Sequence, residues 1–180
     1  VAAYLDRRRI ARRTAVRFGL GASLDSWDAL LTAMTERGYS KAELLAAGLV
    51  VQNEKGRLYD KFRNRLIFPV IDVRGDVVAF GGRVLDKGEP KYLNTAETAV
   101  YQKRRNLYGI NLAKKTKRPN IILCEGNIDV ITLHQAGFDN AVASMGTALT
   151  VEQTRLLSRY TKELVLCYDN DSAGQAATEK

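Results

Sequence analysis

Apolar positions along the chain follow three different spacings. Residues 4–17 have helix-like spacing, but Arg7, Arg8, Arg9, Arg12, Arg13 and Arg17 interrupt it, so the segment reads as a basic helix without a clean apolar face. Trp27, Leu30, Leu31 and Met34 then fall at i, i+3, i+4 and i+7, one stripe of an amphipathic helix that Gly38 stops. These four are expected in the core. Ser40 and Glu43 form a capping box for a short helix carrying Leu44 and Leu45, closed by Gly48.

The second spacing begins near Val50. Leu66–Val73 and Val77–Leu85 are rich in β-branched and aromatic residues and flank Arg74-Gly75-Asp76, which predicts a β-hairpin. Pro69 cannot donate to a ladder, so it belongs at an edge or a bulge. Residues 86–118 are mixed and polar. They end in Lys114-Lys115-Thr116-Lys117-Arg118 before Pro119, the best candidate for a domain boundary.

After Pro119 come three short apolar runs, Ile121–Cys124, Ala141–Ala143 and Leu164–Tyr168, with room for one helix in each gap. The first helix is expected over about 128–136, ending at Gly137. The second starts at Thr150, where Gln153 completes a capping box. Buried strands alternating with helices imply a parallel sheet with right-handed crossovers, and so an α/β fold.

Composition narrows the classes. The chain has 180 residues, 46% of them apolar, which argues against disorder and fibrous structure. No apolar run approaches the ~18 residues of a membrane span. The start lacks an initiator Met and a secretory pattern, and the last residues resemble a helix interior, so a piece of a longer protein is expected. Cys124 and Cys167 form no disulfide framework or zinc motif; both are expected as buried thiols on sheet strands, consistent with a reducing cytoplasm. His134, the one histidine, is expected on the outer side of its helix.

Charge divides the chain. Residues 1–118 hold 24 Lys and Arg against 12 Asp and Glu, net +12, whereas residues 119–180 are net −4. A basic front suits a polyanion and an acidic back suits a metal ion, although basic residues also serve solubility. In open parallel sheets ligands bind at the carboxyl ends of the strands. Here those ends carry Glu125-Gly126, with Asp129 in the next helical turn, and Asp169-Asn170-Asp171. Four carboxylates converging on one sheet edge repel one another and suit Mg²⁺ (or Mn²⁺). An EF-hand is excluded, because Lys180 stands where a bidentate Glu is required. Caps and turns also use Asp, so the pattern alone leaves a structural role open.

Glu125-Gly126-Asn127-Ile128-Asp129-Val130 and Tyr168-Asp169-Asn170-Asp171-Ser172-Ala173-Gly174 resemble the Toprim signature of primases, topoisomerases and some nucleases. The ordered series Tyr59–Val70, Ala79-Phe80-Gly81-Gly82-Arg83, Pro90–Thr95, Lys103, Leu107-Tyr108-Gly109 and Ala143–Thr150 is similar to the RNA polymerase core of bacterial DnaG-type DNA primase. The resemblance covers essentially the whole chain. It implies a basic α+β N-terminal subdomain over residues 1–118, then a partial Toprim Rossmann-like parallel sheet over 119–180.

The same resemblance implies templated synthesis of short RNA primers by metal-dependent nucleotidyl transfer during DNA replication in the cytoplasm, with no membrane role. Glu125, Asp129, Asp169 and Asp171 are the catalytic acids it implies, with Glu125, Asp169 and Asp171 on the metal. Arg63, Arg65, Arg83, Lys91, Tyr92, Asn94 and Lys103 match the basic groove for single-stranded DNA template, ribonucleoside triphosphates and the RNA primer. Zinc and the replicative helicase belong to family domains outside this sequence.

Departures from the family pattern are Asn127-Ile128 for Tyr-Met and Asn170 for Gly; Asn tolerates the turn. The family's later Asp-x-Asp pair is not in this sequence, so the isolated chain is expected to make little or no primer. Two other readings are a different Toprim phosphotransferase (a nuclease or topoisomerase subunit) and a non-catalytic nucleic-acid-binding module. Neither a nuclease nor a topoisomerase accounts for the Phe-Gly-Gly-Arg and Pro-Lys-Tyr-Leu-Asn blocks.

Overall fold

A computed structural model describes residues 1–86, 88–145 and 148–169. The elements run α1 (Ala2–Arg7), α2 (Arg12–Arg17), β1 (Gly21–Ser23), α3 (Ala29–Glu36), α4 (Lys41–Ala46), β2 (Val50–Gln52), β3 (Leu58–Asp60), β4 (Arg65–Ile71), β5 (Val77–Val84) and β6 (Tyr92–Asn94). A 3₁₀ turn (Lys103–Arg105) follows, then α5 (Ile110–Ala113), β7 (Asn120–Cys124), α6 (Asn127–Gln135), β8 (Ala141–Ala143), α7 (Val151–Leu157) and β9 (Glu163–Cys167).

The front sheet is antiparallel in the order β1-β4-β5-β6, and the predicted β4–β5 hairpin is its centre. Pro69 satisfies both expectations for it. β1 pairs with β4 only as far as Ile67, so β4 is locally an edge at Pro69, and the register shifts one residue later at Val70/Ile71. The back sheet is parallel with β7 between β8 and β9, which puts Glu125 and Asp169 at neighbouring carboxyl ends. Both capping boxes form: Ser40 with Glu43 on α4, and Thr150 with Gln153 on α7.

One apolar core joins the two sheets. Tyr4, Phe18, Leu66 and Phe68 from the front pack with Val130, Ile131 and Ala141 from the back. A bridge reinforces this seam, with N–H···O bonds of 2.9 and 3.1 Å exchanged between Tyr108 and Ala143. Gly109 beside it takes φ +81°, and a Cβ there would lie 2.8 Å from Val130 Cγ1, so only glycine fits. Among the described residues no helix is long and apolar enough to cross a membrane.

Several expectations need correcting. The basic segment 4–17 is two short helices, broken where Arg9 takes φ 55°. Trp27 precedes α3 and is 60% exposed, and α3 buries none of its residues fully. His134 is only 4% exposed, because α6 buries the stripe Asn127, Val130, Ile131 and His134. Its Nε2–H donates to the Ala141 carbonyl at 2.9 Å, and Phe18 meets its ring edge-on. Cys167 is exposed because β9 is an edge strand; Cys124, on central β7, is buried as expected.

Candidate active site

Two of the four acids lie side by side. β7 and β9 are parallel and in register up to Cys124↔Cys167, so the chain leaves both strands at the same level. Glu125 follows directly, and the Asp169 N–H donates to Glu125 Oε1 at 3.2 Å. A main-chain donor thus holds the Glu125 carboxylate beside Asp169 and leaves its charge uncancelled.

Asp129 joins them through the helix start. Gly126 caps α6, and its N–H donates to Asp129 Oδ2 at 3.0 Å. Gly126 has no side chain, so only this half of a capping box exists. Burial pushes the Asp129 carboxyl above its ordinary value; the Gly126 bond and the Arg8 charge oppose that rise, and the Asp169 charge adds to it. The Asp129–Asp169 coupling puts three of the four predicted acids in one neighbourhood. Asp171 lies outside the described residues.

None of these three acids forms an ion pair among the described residues. All their donors are carboxylate oxygens, which suits a hard cation held by one or two carboxylates plus waters and phosphates. Among the described residues no three potential ligands gather around a single point. Among the described residues the acids thus offer oxygen donors without forming a closed metal cage.

The predicted cations occupy different environments. Arg83 lies 5.1 Å from the ring centroids of both Tyr4 and Tyr92 and hydrogen-bonds the Tyr92 hydroxyl. With Lys91, Arg7, Arg8 and Tyr4 it lines a cavity of ≈ 580 Å³, which Asp86 and Glu89 also border. Arg7 and Arg8 were missed in the sequence because their helix offered no motif.

Arg63 stacks 4.2 Å from the Trp27 ring centroid and 5.2 Å from that of Tyr59. Asp60 below it is 3% exposed and spends both carboxylate oxygens on the α3 amides of Leu30 and Leu31, at 2.7 and 2.9 Å. Arg63 thus has no acid partner among the described residues, and Trp27 is open to solvent. Exposed stacking surface around an arginine is a nucleic-acid feature that sequence spacing did not reveal.

Arg65 differs from the expected groove residue. It is 6% exposed, and its Nη1 donates to the carbonyls of Gly82 and Pro90 at 3.3 and 2.8 Å, so it acts as a strut under β5. Gly82 makes this possible, since a Cβ there would meet Phe62 at 2.7 Å and Arg65 at 3.0 Å. Gly81 likewise has the Asn94 and Asn127 side chains against it, bringing the front sheet to the start of α6. Lys103 is half-buried at the 3₁₀ turn; its N–H bonds Glu97 Oε1 at 2.9 Å, and its carbonyl accepts from Gln153.

Comparison with known proteins agrees with this geometry. Residues 1–114 match the model for the DNA primase catalytic core, N-terminal domain, and residues 122–180 match a Toprim-like model. The chain belongs to the DnaG-type primase catalytic-core family. A DNA primase of Clostridium acetobutylicum is 53% identical over 176 residues, covering 97% of this chain and 29% of that protein. The primase catalytic core of E. coli superposes with a TM-score of 0.92 at 39% identity, covering 99% of this chain and 57% of that one. A DnaG primase catalytic domain bound to single-stranded DNA gives 0.91 at 39% identity, covering 99% and 58%. The chain thus spans under a third of the Clostridium primase's length; Arg63, Arg65 and Arg83 lie within the primase-core match and Glu125, Asp129 and Asp169 within the Toprim-like match.

Proposed function

We propose that this chain forms part of the active core of a DNA primase, which joins ribonucleotides into a short RNA primer on a single-stranded DNA template. The observation that carries the reading is the pair Glu125 and Asp169, adjacent at two strand ends and free of any cationic partner among the described residues. Asp129 and Asp171 complete the proposed acid set, with Glu125, Asp169 and Asp171 as metal ligands for Mg²⁺ or Mn²⁺.

Glu125, Asp169 and Asp171 would hold the ion, which would supply acidity to the primer hydroxyl and offset triphosphate charge. The protein's own groups do the rest. The Asp169 N–H and Gly126 N–H orient the Glu125 and Asp129 carboxylates before any ligand arrives, which lowers the cost of arranging them. Arg8, Arg83 and Lys91 supply positive charge for phosphates beside those acids, contacts that position without reading sequence. Tyr92 and Trp27 offer faces for unpaired bases, each stack worth about 1–3 kcal/mol. Residues 1–118 would thereby serve the template and residues 119–180 the metal. Ribonucleoside triphosphates would be the substrates, the cytoplasm the place of action, and a replicative helicase would dock on another part of the parent protein.

Thermal denaturation with and without Mg²⁺ or Mn²⁺ tests the acid pair. The ion should raise the midpoint, and Asp169→Asn should abolish the rise; an undiminished rise in that variant would overturn the assignment. Template binding has a built-in reporter, because Trp27 is the chain's one tryptophan. Titration with oligo(dT) should quench its fluorescence at low salt, and Arg63→Ala should weaken binding roughly tenfold, about 1.4 kcal/mol.

A further inference from the structure

The two cysteines form a pair that the proposed chemistry leaves unused. Cys124 on β7 and Cys167 on β9 are register partners in a parallel ladder, so their side chains leave the sheet on the same face. Neighbouring strands lie about 4.7–4.9 Å apart. That is inside the ~4.4–6.8 Å Cα separation that a disulfide spans. The two thiols differ in access: Cys167 is exposed on the edge strand, whereas Cys124 is fully buried behind it. No other described cysteine competes, since the chain has only these two.

We propose that Cys124 and Cys167 are a redox modification site, closing to a reversible intramolecular disulfide under hydrogen peroxide. The Cys167 sulfur attacks one peroxide oxygen, the O–O bond breaks, and water departs to leave a sulfenic acid. The neighbouring Cys124 sulfur then attacks the Cys167 sulfur. The S–O bond breaks, and hydroxide leaves with the Cys124 proton as a second water. The two thiols lose two electrons in total, and one peroxide becomes two waters.

Burial of Cys124 gives the order of events, because only Cys167 meets an oxidant in solvent. Glu125 follows Cys124 directly and Asp169 lies two residues beyond Cys167, so the bridge would tie the bases of the two acid-bearing turns together. This inference rests on strand register and on the unequal exposure of the two thiols, and it stands or falls separately from the polymerase reading.

The test is intact-mass and peptide analysis of the chain after mild hydrogen peroxide treatment, with unfolding and alkylation afterwards. Free thiols should fall from two per chain to nearly none, with loss of two hydrogen masses and one cross-linked peptide pair joining positions 124 and 167. Dithiothreitol should restore both thiols. The Cys124→Ser chain should instead accumulate oxygen adducts on Cys167. Retention of an alkylatable Cys124 beside an oxygenated Cys167 in the unsubstituted chain would overturn the proposal, as would disulfide-linked dimers as the main product.

Discussion

The front and back sheets use opposite solutions to hold charge. In and around the antiparallel front sheet, cations are settled by neighbours: Arg65 on two carbonyls, Arg63 before β4 on Trp27 and Tyr59, Arg83 between Tyr4 and Tyr92. In the parallel back sheet, main-chain N–H groups hold two of the acids in place without cancelling their charge. Arginine tolerates partial desolvation on an aromatic face and still presents donors, so the front stays basic while well ordered. Carboxylates crowded at strand ends have no such neutral partner, and the site remains poised for a cation. The same contrast appears in packing. β4 is buried along most of its length, whereas β9 exposes four of its five residues.

The packing contrast is broken most directly by truncation. Phe68 is fully buried in the core shared by both sheets and touches Tyr108 edge-on. Phe68→Ala should cost about 3–5 kcal/mol in chemical denaturation. Val165 on β9 is 41% exposed, and Val165→Ala should change stability by no more than about 0.5 kcal/mol. Equal losses at the two positions would mean that β9 is covered as well as β4.

A second substitution probes the seam where the two regions meet. Gly109→Ala forces a side chain into left-handed backbone and against Val130 Cγ1, so about 2–4 kcal/mol should be lost. If the regions were only loosely docked, denaturation of this variant would separate into two transitions; the continuous core predicts one.

Long patterned segments were legible in the sequence, and short ones were not. The β4–β5 hairpin, the three parallel strands and both capping boxes each carry their signal over several residues. β1, β2, β3 and β6 are three residues each and too brief to show a period of two, whereas β8, equally short, showed itself as a wholly apolar run. The break at Arg9, where φ is 55°, was invisible because arginine signals no turn. At the site, the positions of Glu125 and Asp169 at neighbouring strand ends were legible, because each follows an apolar run. The burial of Arg65 was not, because its partners are main-chain carbonyls, which leave no mark in sequence. Nor was the place of Arg8 beside Arg83 and Lys91, since only the fold brings α1 to that cavity. His134 was legible after all: it stands three and four residues beyond Ile131 and Val130, on the stripe that packs inward.

His134 gives the finest test of how the regions are joined, because it lies at the contact of α6 with β8 and Phe18 of the front. Burial, with the Arg17 charge, lowers its pKa below 6.5, while the Ala141 carbonyl and Asp139 act in the other direction. Its Nδ1 is buried without a partner, so the folded state keeps the ring neutral with Nε2 as donor. Above about pH 6.5 both folded and unfolded rings are neutral, and the group contributes nothing to pH dependence. Below that, the unfolded chain takes up a proton that the folded chain refuses, so stability should fall until the lowered folded pKa is passed. His134→Gln retains an N–H for Ala141 and cannot titrate. Denaturation midpoints of the two chains should therefore diverge between pH 7.5 and 5.5, the unsubstituted chain losing more; parallel profiles would show that the ring is hydrated and that the seam between the sheets admits water.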